Sequence, residues 1–310
     1  MLAAVVFVAG LAVLYVGAET MVNSSSRLAA SYGIRPLVIG MTVVALGTSM
    51  PELMVSLLAA FRDSPDLAAG NVIGSNIANI GLILGCTALF APLAVPPGVL
   101  RRELPFMIGA SLLLTLLAAN GRLGFGEGLL LFSLLLVFIG YCLRTARRKG
   151  SEKDRGAAMR ASRSRWRDAV LVLVGMASLG IGAEMMVRSA IFLARSFGVS
   201  ELVIGISVVA IGTSLPELAA SGIGALKGHS ELSIGNVLGS NIFNILFVLG
   251  VCPMIRPLTF DPSLMRFELP VMLIFSIALV PLIIHRHAIG RGKGVLLLAG
   301  YAVFIGALFA

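Results

Sequence analysis

Long apolar stretches dominate the chain, and short segments rich in charge, Gly and Pro separate them. A helix that crosses a bilayer needs about 20 mostly apolar residues, because lipid offers backbone groups no hydrogen-bond partner. Dividing the chain at its polar breaks predicts ten such helices. They cover residues 2–29, 36–60, 67–90, 104–119, 125–142, 168–195, 202–226, 232–254, 267–285 and 293–309. The predicted fold class is therefore an all-α polytopic membrane protein.

The composition agrees with a chain that lies in a membrane. Hydrophobic residues make up 58% of the sequence and charged residues 13%, against about 25% charged residues in a typical soluble domain. So few charged residues exclude a soluble enzyme, a disordered chain and a disulfide scaffold. Cys86, Cys142 and Cys252 lie in apolar runs without a CxxC pair, which predicts buried free thiols. The first apolar stretch lacks a basic segment before it, so we expect a mature helix rather than a signal peptide.

Most of the positive charge lies between the two halves of the chain. The net charge is +9, and residues 144–167 contain ten basic residues against two acidic ones. Because loops rich in Lys and Arg stay on the cytoplasmic side, this segment is predicted to be a cytoplasmic loop that anionic lipid would attract. Five spans on each side of it then place both termini outside an inner (plasma) membrane. Nucleic acid is not an expected partner, because Trp166 is the only aromatic residue in the loop.

The sequence repeats itself at an offset of 165 residues. Residues 37–53 and 202–218 are identical at 13 of 17 positions, and both contain a Gly-Thr-Ser-x-Pro-Glu motif. Residues 70–80 and 235–245 share the pattern Gly-Asn-Val-x-Gly-Ser-Asn-Ile-x-Asn-Ile. Lipid-facing apolar residues drift easily, so identity concentrated at polar, Gly and Pro positions indicates a duplication.

Each half would contain five spans, so equivalent helices must cross the membrane in opposite directions. The predicted organisation is a first five-helix repeat over residues 1–142, a basic cytoplasmic loop over 143–167, and a second five-helix repeat over 168–310. Inverted repeats are typical of transporters that bind their substrate near the bilayer midplane, where interrupted helices meet. The duplication therefore predicts ten transmembrane helices in two inverted repeats, and an exchange between outward and inward access.

The first pair of motifs places oxygen atoms on one helical face in each half. Positions i, i+3, i+4 and i+7 share a face of a helix, and the motifs fill them with Ala, Thr, Ser and Glu. These residues are Ala45, Thr48, Ser49 and Glu52 in the first half, and Ala210, Thr213, Ser214 and Glu217 in the second. Pro51 and Pro216 lack an N–H and push against the carbonyl four residues earlier, so backbone oxygens are expected to be released there.

The second pair of motifs adds neutral oxygens. Ser75 and Asn79, like Ser240 and Asn244, are four residues apart, so each pair lies on one helical face. Carboxylates, hydroxyls and carbonyls together suit a hard cation such as Ca²⁺ and, with fewer oxygens per ion, Na⁺. For each small polar residue taken alone, packing between helices is the competing explanation.

Packing explains Glu52 and Glu217 least well. A charged residue at the centre of a span costs about 2.5–3.5 kcal/mol on insertion scales, and neither span contains a basic partner. Two such costs at equivalent positions indicate a bound cation. Glu19 and Glu184 form another repeated pair. For these two the sequence leaves open a role in attracting cations or an ordinary polar contact, such as one between Glu184 and Arg188.

The paired Gly-Thr-Ser-x-Pro-Glu and Gly-Ser-Asn-Ile-x-Asn motifs closely resemble those of the sodium/calcium exchanger family of cation/Ca²⁺ antiporters. The resemblance covers nearly the whole chain, and the short central loop resembles that of prokaryotic members. It implies a secondary active antiporter, not an enzyme, that exchanges Na⁺ for Ca²⁺ and uses no cofactor. It also implies that the first and sixth spans slide against the remaining helices. We expect a monomer.

The resemblance also implies a set of ion ligands. Glu52 and Glu217 would bind Ca²⁺ and Na⁺. Overlapping ion sites would be completed by Thr48, Ser49, Thr213, Ser214, Ser75, Ser240, Asn79 and the carbonyls of Ala45 and Ala210. Asn244, which belongs to the candidate metal site as a neutral residue, stands where some family members have Asp. That difference bears on stoichiometry and on K⁺ dependence.

Three other kinds of function compete with a Na⁺/Ca²⁺ antiporter: a related exchanger, a channel and an intramembrane enzyme. A Ca²⁺/H⁺ exchanger, or a K⁺-dependent Na⁺/Ca²⁺ exchanger, would use the same carboxylates, although the motifs resemble the Na⁺-coupled branch more. A passive cation channel is disfavoured by the inverted halves. An intramembrane enzyme based on Ser49 or Ser214 is disfavoured because no His or Lys lies in those spans to act as a base.

Overall fold

The computed structural model describes residues 2–62, 65–146, 165–197 and 210–308. Almost all of these residues are helical, because lipid-facing backbone must satisfy its hydrogen bonds within its own segment. The helices are α1 (Leu2–Tyr32), α2 (Pro36–Thr48), α3 (Met50–Phe61), α4 (Pro65–Phe90), α5 (Pro97–Asn120), α6 (Phe125–Thr145), α7 (Arg165–Ser196), α8 (Ala210–Thr213), α9 (Leu215–Leu226), α10 (Ser230–Ile255), α11 (Leu264–Ile284) and α12 (Arg291–Leu308).

Eight of the described helices are long and apolar enough to cross a membrane. The pair α2 and α3, bent by 42° at its junction, would be a ninth span. The predicted seventh span, residues 202–226, is described only from Ala210 onward, so the count of ten stays a prediction.

The limits of the helices differ from the predicted spans by a few residues. The largest difference is at α5, which begins at Pro97 rather than at residue 104. The central basic loop is shorter than the predicted 143–167, because α6 runs to Thr145 and α7 begins at Arg165. Residues 147–164 of that loop lie outside the described residues.

Four two-residue strands lie in linkers between helices of the described residues. They are β1 (Leu93–Ala94), β2 (Arg122–Leu123), β3 (Leu258–Thr259) and β4 (Ala288–Ile289). β1 pairs with β4 and β2 with β3, both antiparallel, so each ladder joins a linker of the first half to one of the second. One side chain of each strand is fully buried, which alternation along a strand allows. The predicted all-α fold class is confirmed, since these short ladders only connect linkers between the helices.

Helices α1 and α7 pack closely through glycines. A Cβ placed on Gly17 would lie 2.8 Å from Ser178 Cβ, and one on Gly175 would lie 2.7 Å from Met21 Cβ. Small residues permit this approach of two backbones, which is a common basis of helix association in membranes. An ion pair between Arg27 Nε and Asp168 Oδ1, 2.8 Å long, also joins the two helices.

Helices α4 and α10 form the centre of the molecule. In each, 78% of the apolar span is buried inside the protein, against 39% or less in the other long helices. The broken helix lies directly on α10: a Cβ on Gly40 would meet Leu232 O at 2.4 Å, and one on Gly235 would meet Leu37 O at 2.4 Å. Only glycine fits at this crossing, which brings the end of α2 against the polar residues of α10.

Candidate functional site

Two helix breaks lie at equivalent positions of the halves. Ser49 separates α2 from α3 with φ −83° and ψ 4°, and Ser214 separates α8 from α9 with φ −89° and ψ 3°. Each break is followed by a proline in the first turn of the next helix, Pro51 or Pro216, as the sequence predicts. The following glutamate therefore lies in the first turn of a new helix, whose N-terminus favours negative charge.

The candidate ion ligands are buried. Glu52 is 1% exposed and Glu217 is 0% exposed, and the described Thr, Ser and Asn side chains of the predicted site are also buried. Ala210 begins α8, and its carbonyl role stays a prediction. Among the described residues, no Lys or Arg forms an ion pair with either glutamate. Two buried like charges without a basic partner are strongly unfavourable unless a cation joins them.

Hydrogen bonds connect the break of the first half to the second half. Ser49 Oγ donates to Glu217 Oε1 at 3.4 Å. The Thr48 hydroxyl lies 3.2 Å from Asn236 Oδ1 and 3.3 Å from Ser240 Oγ. Residues that are 168 to 192 positions apart in sequence, one from each half, thus meet in one place.

The asparagines predicted to add neutral oxygens lie together at the crossing of α4 and α10. Asn79 Nδ2 donates to Asn241 Oδ1 at 3.0 Å, and Asn244 Nδ2 donates to Asn76 Oδ1 at 3.2 Å. Both contacts join one half of the chain to the other. The two ligand candidates, Asn79 and Asn244, therefore donate hydrogen bonds from their amide nitrogens to protein partners. Their amide oxygens accept no hydrogen bond from the described residues.

The backbone is locally widened at the same two asparagines. A π-helical turn begins at Asn79 in α4 (Asn79–Leu84) and another begins at Asn244 in α10 (Asn244–Val248). Such turns insert an extra residue into a helix and occur frequently at functional sites. Their equivalent positions in the two halves indicate that the repeat extends to backbone geometry.

Half of the unpartnered buried polar atoms of the described residues belong to this cluster. Ten buried side-chain nitrogen or oxygen atoms lack a hydrogen-bond partner. Five of them are Glu52 Oε2, Glu217 Oε2, Ser214 Oγ, Asn79 Oδ1 and Asn244 Oδ1. Native proteins rarely leave such atoms unsatisfied, and oxygen atoms of this kind are the ligands of Ca²⁺ and Na⁺. Two carboxylates also match the charge of one divalent cation.

Sequence reasoning missed a supporting layer behind these ligands. Asn71 Nδ2 donates to Ser56 Oγ at 3.0 Å, and the equivalent Asn236 Nδ2 donates to Ser221 Oγ at 2.9 Å. Asn236 Oδ1 also accepts the hydrogen bond from the Thr48 hydroxyl. The repeat offset of 165 residues could have identified these four side chains, because Asn71 recurs as Asn236 and Ser56 recurs as Ser221.

Glu19 and Glu184 form ordinary polar contacts. Glu184 pairs with Arg188 one turn along α7, at the surface. Glu19 pairs with Lys227, which follows α9. Of the two explanations left open by the sequence, the structure favours the polar contact for both residues.

Comparison with known proteins agrees with this arrangement of residues. Residues 2–144 and 168–310 match the family described as "Sodium/calcium exchanger protein". The chain belongs to the sodium/calcium exchanger family. It is therefore an integral membrane protein of a transporter family, whose members exchange Na⁺ and Ca²⁺ without a cofactor.

Relatives within this family match over almost their whole length. The inner membrane protein YrbG of Escherichia coli is 40% identical over 100% of this chain and 97% of its own. The sodium/calcium exchanger MaX1 of Methanosarcina acetivorans is 32% identical over 97% of this chain and 96% of its own. A solved structure of the sodium-calcium exchanger NCX_Mj superimposes with a TM-score of 0.86 at 31% identity, covering 99% of both chains. The predicted resemblance to a prokaryotic exchanger is confirmed.

Proposed function

We propose that this protein is a secondary active antiporter that exchanges Na⁺ for Ca²⁺ by alternating access. The observation that carries the proposal is that the buried carboxylates of Glu52 and Glu217 have no basic partner among the described residues and lie in a cluster with unpartnered oxygens. The proposed ion site consists of Glu52, Glu217, Thr48, Thr213, Ser49, Ser214, Ser75, Asn79, Ser240 and Asn244, with the carbonyls of Ala45 and Ala210. One Ca²⁺ or two Na⁺ neutralise the two carboxylates, so the ions compete and exclusive occupancy couples their transport.

The proposed architecture is ten transmembrane helices in two inverted five-helix repeats, over residues 1–142 and 168–310. The strand pairs support the inversion. β1 and β2 lie at opposite ends of α5, because one precedes this helix and the other follows it. β3 pairs with β2, so β3 lies at the opposite end of the bundle from β1. Since β1 follows α4 and β3 follows the equivalent α10, these two helices end on opposite sides.

The proposed orientation places residues 143–167 in the cytoplasm and both termini outside. The concentration of basic residues in this loop supports it through the positive-inside rule. The proposed moving part is the pair α1 and α7, whose close glycine contacts and Arg27–Asp168 ion pair support movement as one unit. The protein is proposed to work as a monomer in contact with lipid.

Ca²⁺ uptake into proteoliposomes tests this function. The purified full chain is reconstituted with internal Na⁺, internal K⁺ or neither, and uptake is measured over a range of pH. We expect uptake that depends on internal Na⁺ and is insensitive to a proton gradient alone. Uptake driven equally well by protons would indicate a Ca²⁺/H⁺ exchanger, and a requirement for K⁺ would indicate the K⁺-dependent type. Flux that ignores the opposing gradient would indicate a channel.

A further inference from the structure

A chain of hydrogen bonds runs from a buried methionine of α11 to the candidate ion site. Met272 Sδ accepts from Asn76 Nδ2 at 3.7 Å, and Asn76 Oδ1 accepts from Asn244 Nδ2 at 3.2 Å. Asn244 Oδ1 has no hydrogen-bond partner among the described residues. We call this chain the Met272 relay. All three of its residues are buried.

A second chain with the same order of atoms starts from α5. Met107 Sδ accepts from Asn241 Nδ2 at 3.7 Å, and Asn241 Oδ1 accepts from Asn79 Nδ2 at 3.0 Å. Asn79 Oδ1, like Asn244 Oδ1, has no hydrogen-bond partner in the described part of the chain. This Met107 relay is the counterpart of the Met272 relay, since each of its residues lies 165 positions from its equivalent. The two methionines close a repeated Glu-Leu-Pro-x-Met segment, residues 103–107 and 268–272.

The chemistry of sulfur fixes the direction of each relay. The oxygen and nitrogen of an asparagine amide are nearly equal in size, so packing alone allows either to face a neighbour. A thioether can accept a hydrogen bond but has no proton to donate. The inner amide must therefore turn its nitrogen to the sulfur and its oxygen to the outer amide. The outer amide then donates its nitrogen and presents its oxygen to the site.

We propose that Met107 and Met272 are positioning residues that keep the amide oxygens of Asn79 and Asn244 directed at the transported cation. An amide nitrogen in the same place would carry positive partial charge and repel the ion. Neither thioether touches the ion, since an asparagine pair lies between each sulfur and the site. The inference rests on the proposed function for the identity of the ion.

The two relays differ in one respect that makes the inference testable. Asn241 Nδ2 has a second acceptor, Asn76 O, at 3.4 Å. Within the described residues, Asn76 Nδ2 donates to Met272 Sδ alone. Loss of the Met272 sulfur should therefore release its amide more completely than loss of the Met107 sulfur.

The first experiment replaces each sulfur by a side chain of similar volume. Met272→Leu and Met107→Leu are compared with Met21→Leu, a fully buried methionine of α1 that takes no part in a relay. The readout is the Ca²⁺ concentration that gives half-maximal uptake. We expect a rise of about threefold to tenfold for Met272→Leu, a smaller rise for Met107→Leu, and none for Met21→Leu. Equal values for all three variants would overturn the proposal.

A second experiment tests whether Met272→Leu, which lowers Ca²⁺ affinity by itself, raises that affinity when Asn244 is replaced by Asp. Asn244→Asp removes the donor to Asn76 Oδ1, so two acceptor oxygens face each other and Ca²⁺ affinity at about pH 8 should fall. If Met272→Leu is added, Asn76 is free to turn its nitrogen to the new carboxylate, and affinity should recover. If Met272 serves only in packing, the added Met272→Leu should lower Ca²⁺ affinity further instead. Additive losses in the double variant would therefore overturn the proposal.

The outcomes separate this inference from the proposed function. The half-maximal Ca²⁺ concentration is measured under whichever gradient, Na⁺ or H⁺, drives uptake by the unmodified protein. Uptake driven by H⁺ would contradict the Na⁺ coupling while the relay comparison still gives its own answer. If Na⁺ drives uptake and the methionine variants match Met21→Leu, only the relay is wrong. If no gradient drives Ca²⁺ uptake, both proposals are wrong.

Discussion

The two halves of the chain carry the same polar motifs but use the equivalent serines differently. Ser49 Oγ donates to Glu217, across the boundary between the halves, at 3.4 Å. Its counterpart Ser214 Oγ is buried without a hydrogen-bond partner among the described residues. The first half therefore helps to hold the glutamate of the second, whereas no described residue of the first half is hydrogen-bonded to Ser214 Oγ. The hydrogen bonds of the duplicated site are therefore not symmetric.

A second difference lies away from the ion site, in the repeated Glu-Leu-Pro segments. Glu103 is 1% exposed, and its Oε1 lies 3.8 Å from Arg35 Nη1. The equivalent Glu268 is half-buried, and the residue at the position of Arg35 in the second half is Ser200. The halves thus share the polar motifs of the proposed ion site and differ in the partner they give to an acid elsewhere.

The largest expected effect tests the point on which the halves agree. Glu52→Gln and Glu217→Gln should each reduce Na⁺-driven Ca²⁺ uptake by about 100-fold or more, because one carboxylate leaves a divalent ion half neutralised in a buried site. Uptake into proteoliposomes at matched protein content measures this. Glu184→Gln, at an exposed glutamate, is the control and should retain activity. A large loss in only one of the two variants would show that the halves are not equivalent.

Much of this equivalence could be predicted from the sequence, because polar residues in apolar spans stand out. The helix breaks, the glutamates and the Ser and Asn ligands all lie in repeated motifs. The hydrogen-bond partners could not be predicted, since they depend on where α4 crosses α10. Asn76 and Asn241 lie within the repeat, but nothing in the spacing distinguishes an amide that supports a ligand from one that packs. Met107 and Met272 look like ordinary apolar residues until the amides beside them are placed.

The second prediction concerns the ion pair of the first half, in which Glu103 is buried and Arg35 is partly exposed. Arg35→Gln leaves Glu103 buried without its cationic partner, and removal of one member of a buried pair typically costs about 3–5 kcal/mol. We expect the free energy of unfolding to fall by about that amount, measured by unfolding of the purified protein in detergent. Glu268→Gln, at the equivalent acid, is expected to change it by about 0.5 kcal/mol or less. Equal effects would mean that the Arg35–Glu103 contact does not distinguish the halves.

The third prediction compares the two serines in the absence of ions. Ser49→Ala removes the hydrogen bond to Glu217 and should lower the free energy of unfolding by about 1 kcal/mol. Ser214→Ala removes a hydroxyl that has no partner among the described residues, so ion-free stability should stay unchanged or rise. Thermal unfolding with a chelator and without Na⁺ separates these outcomes. In saturating Ca²⁺ both variants should be less stabilised by the ion than the unmodified protein, since both lose a proposed ligand. A loss for Ser214→Ala in ion-free buffer would contradict the asymmetry.

The smallest expected effect is a pH dependence confined to the second half. His229, between α9 and α10, lies 3.3 Å from Ser26 Oγ, and burial, followed by the nearby charge of Lys227, lowers its pKa below the usual 6.5. The folded protein therefore favours the neutral imidazole. Its contribution to stability is complete above pH 6.5 and is lost as the pH falls toward the lower pKa of the folded state. The first half has Ser64 at this position. His229→Gln should flatten the stability profile below neutral pH. A profile identical to that of the unmodified protein would show that His229 does not couple α1 to this linker.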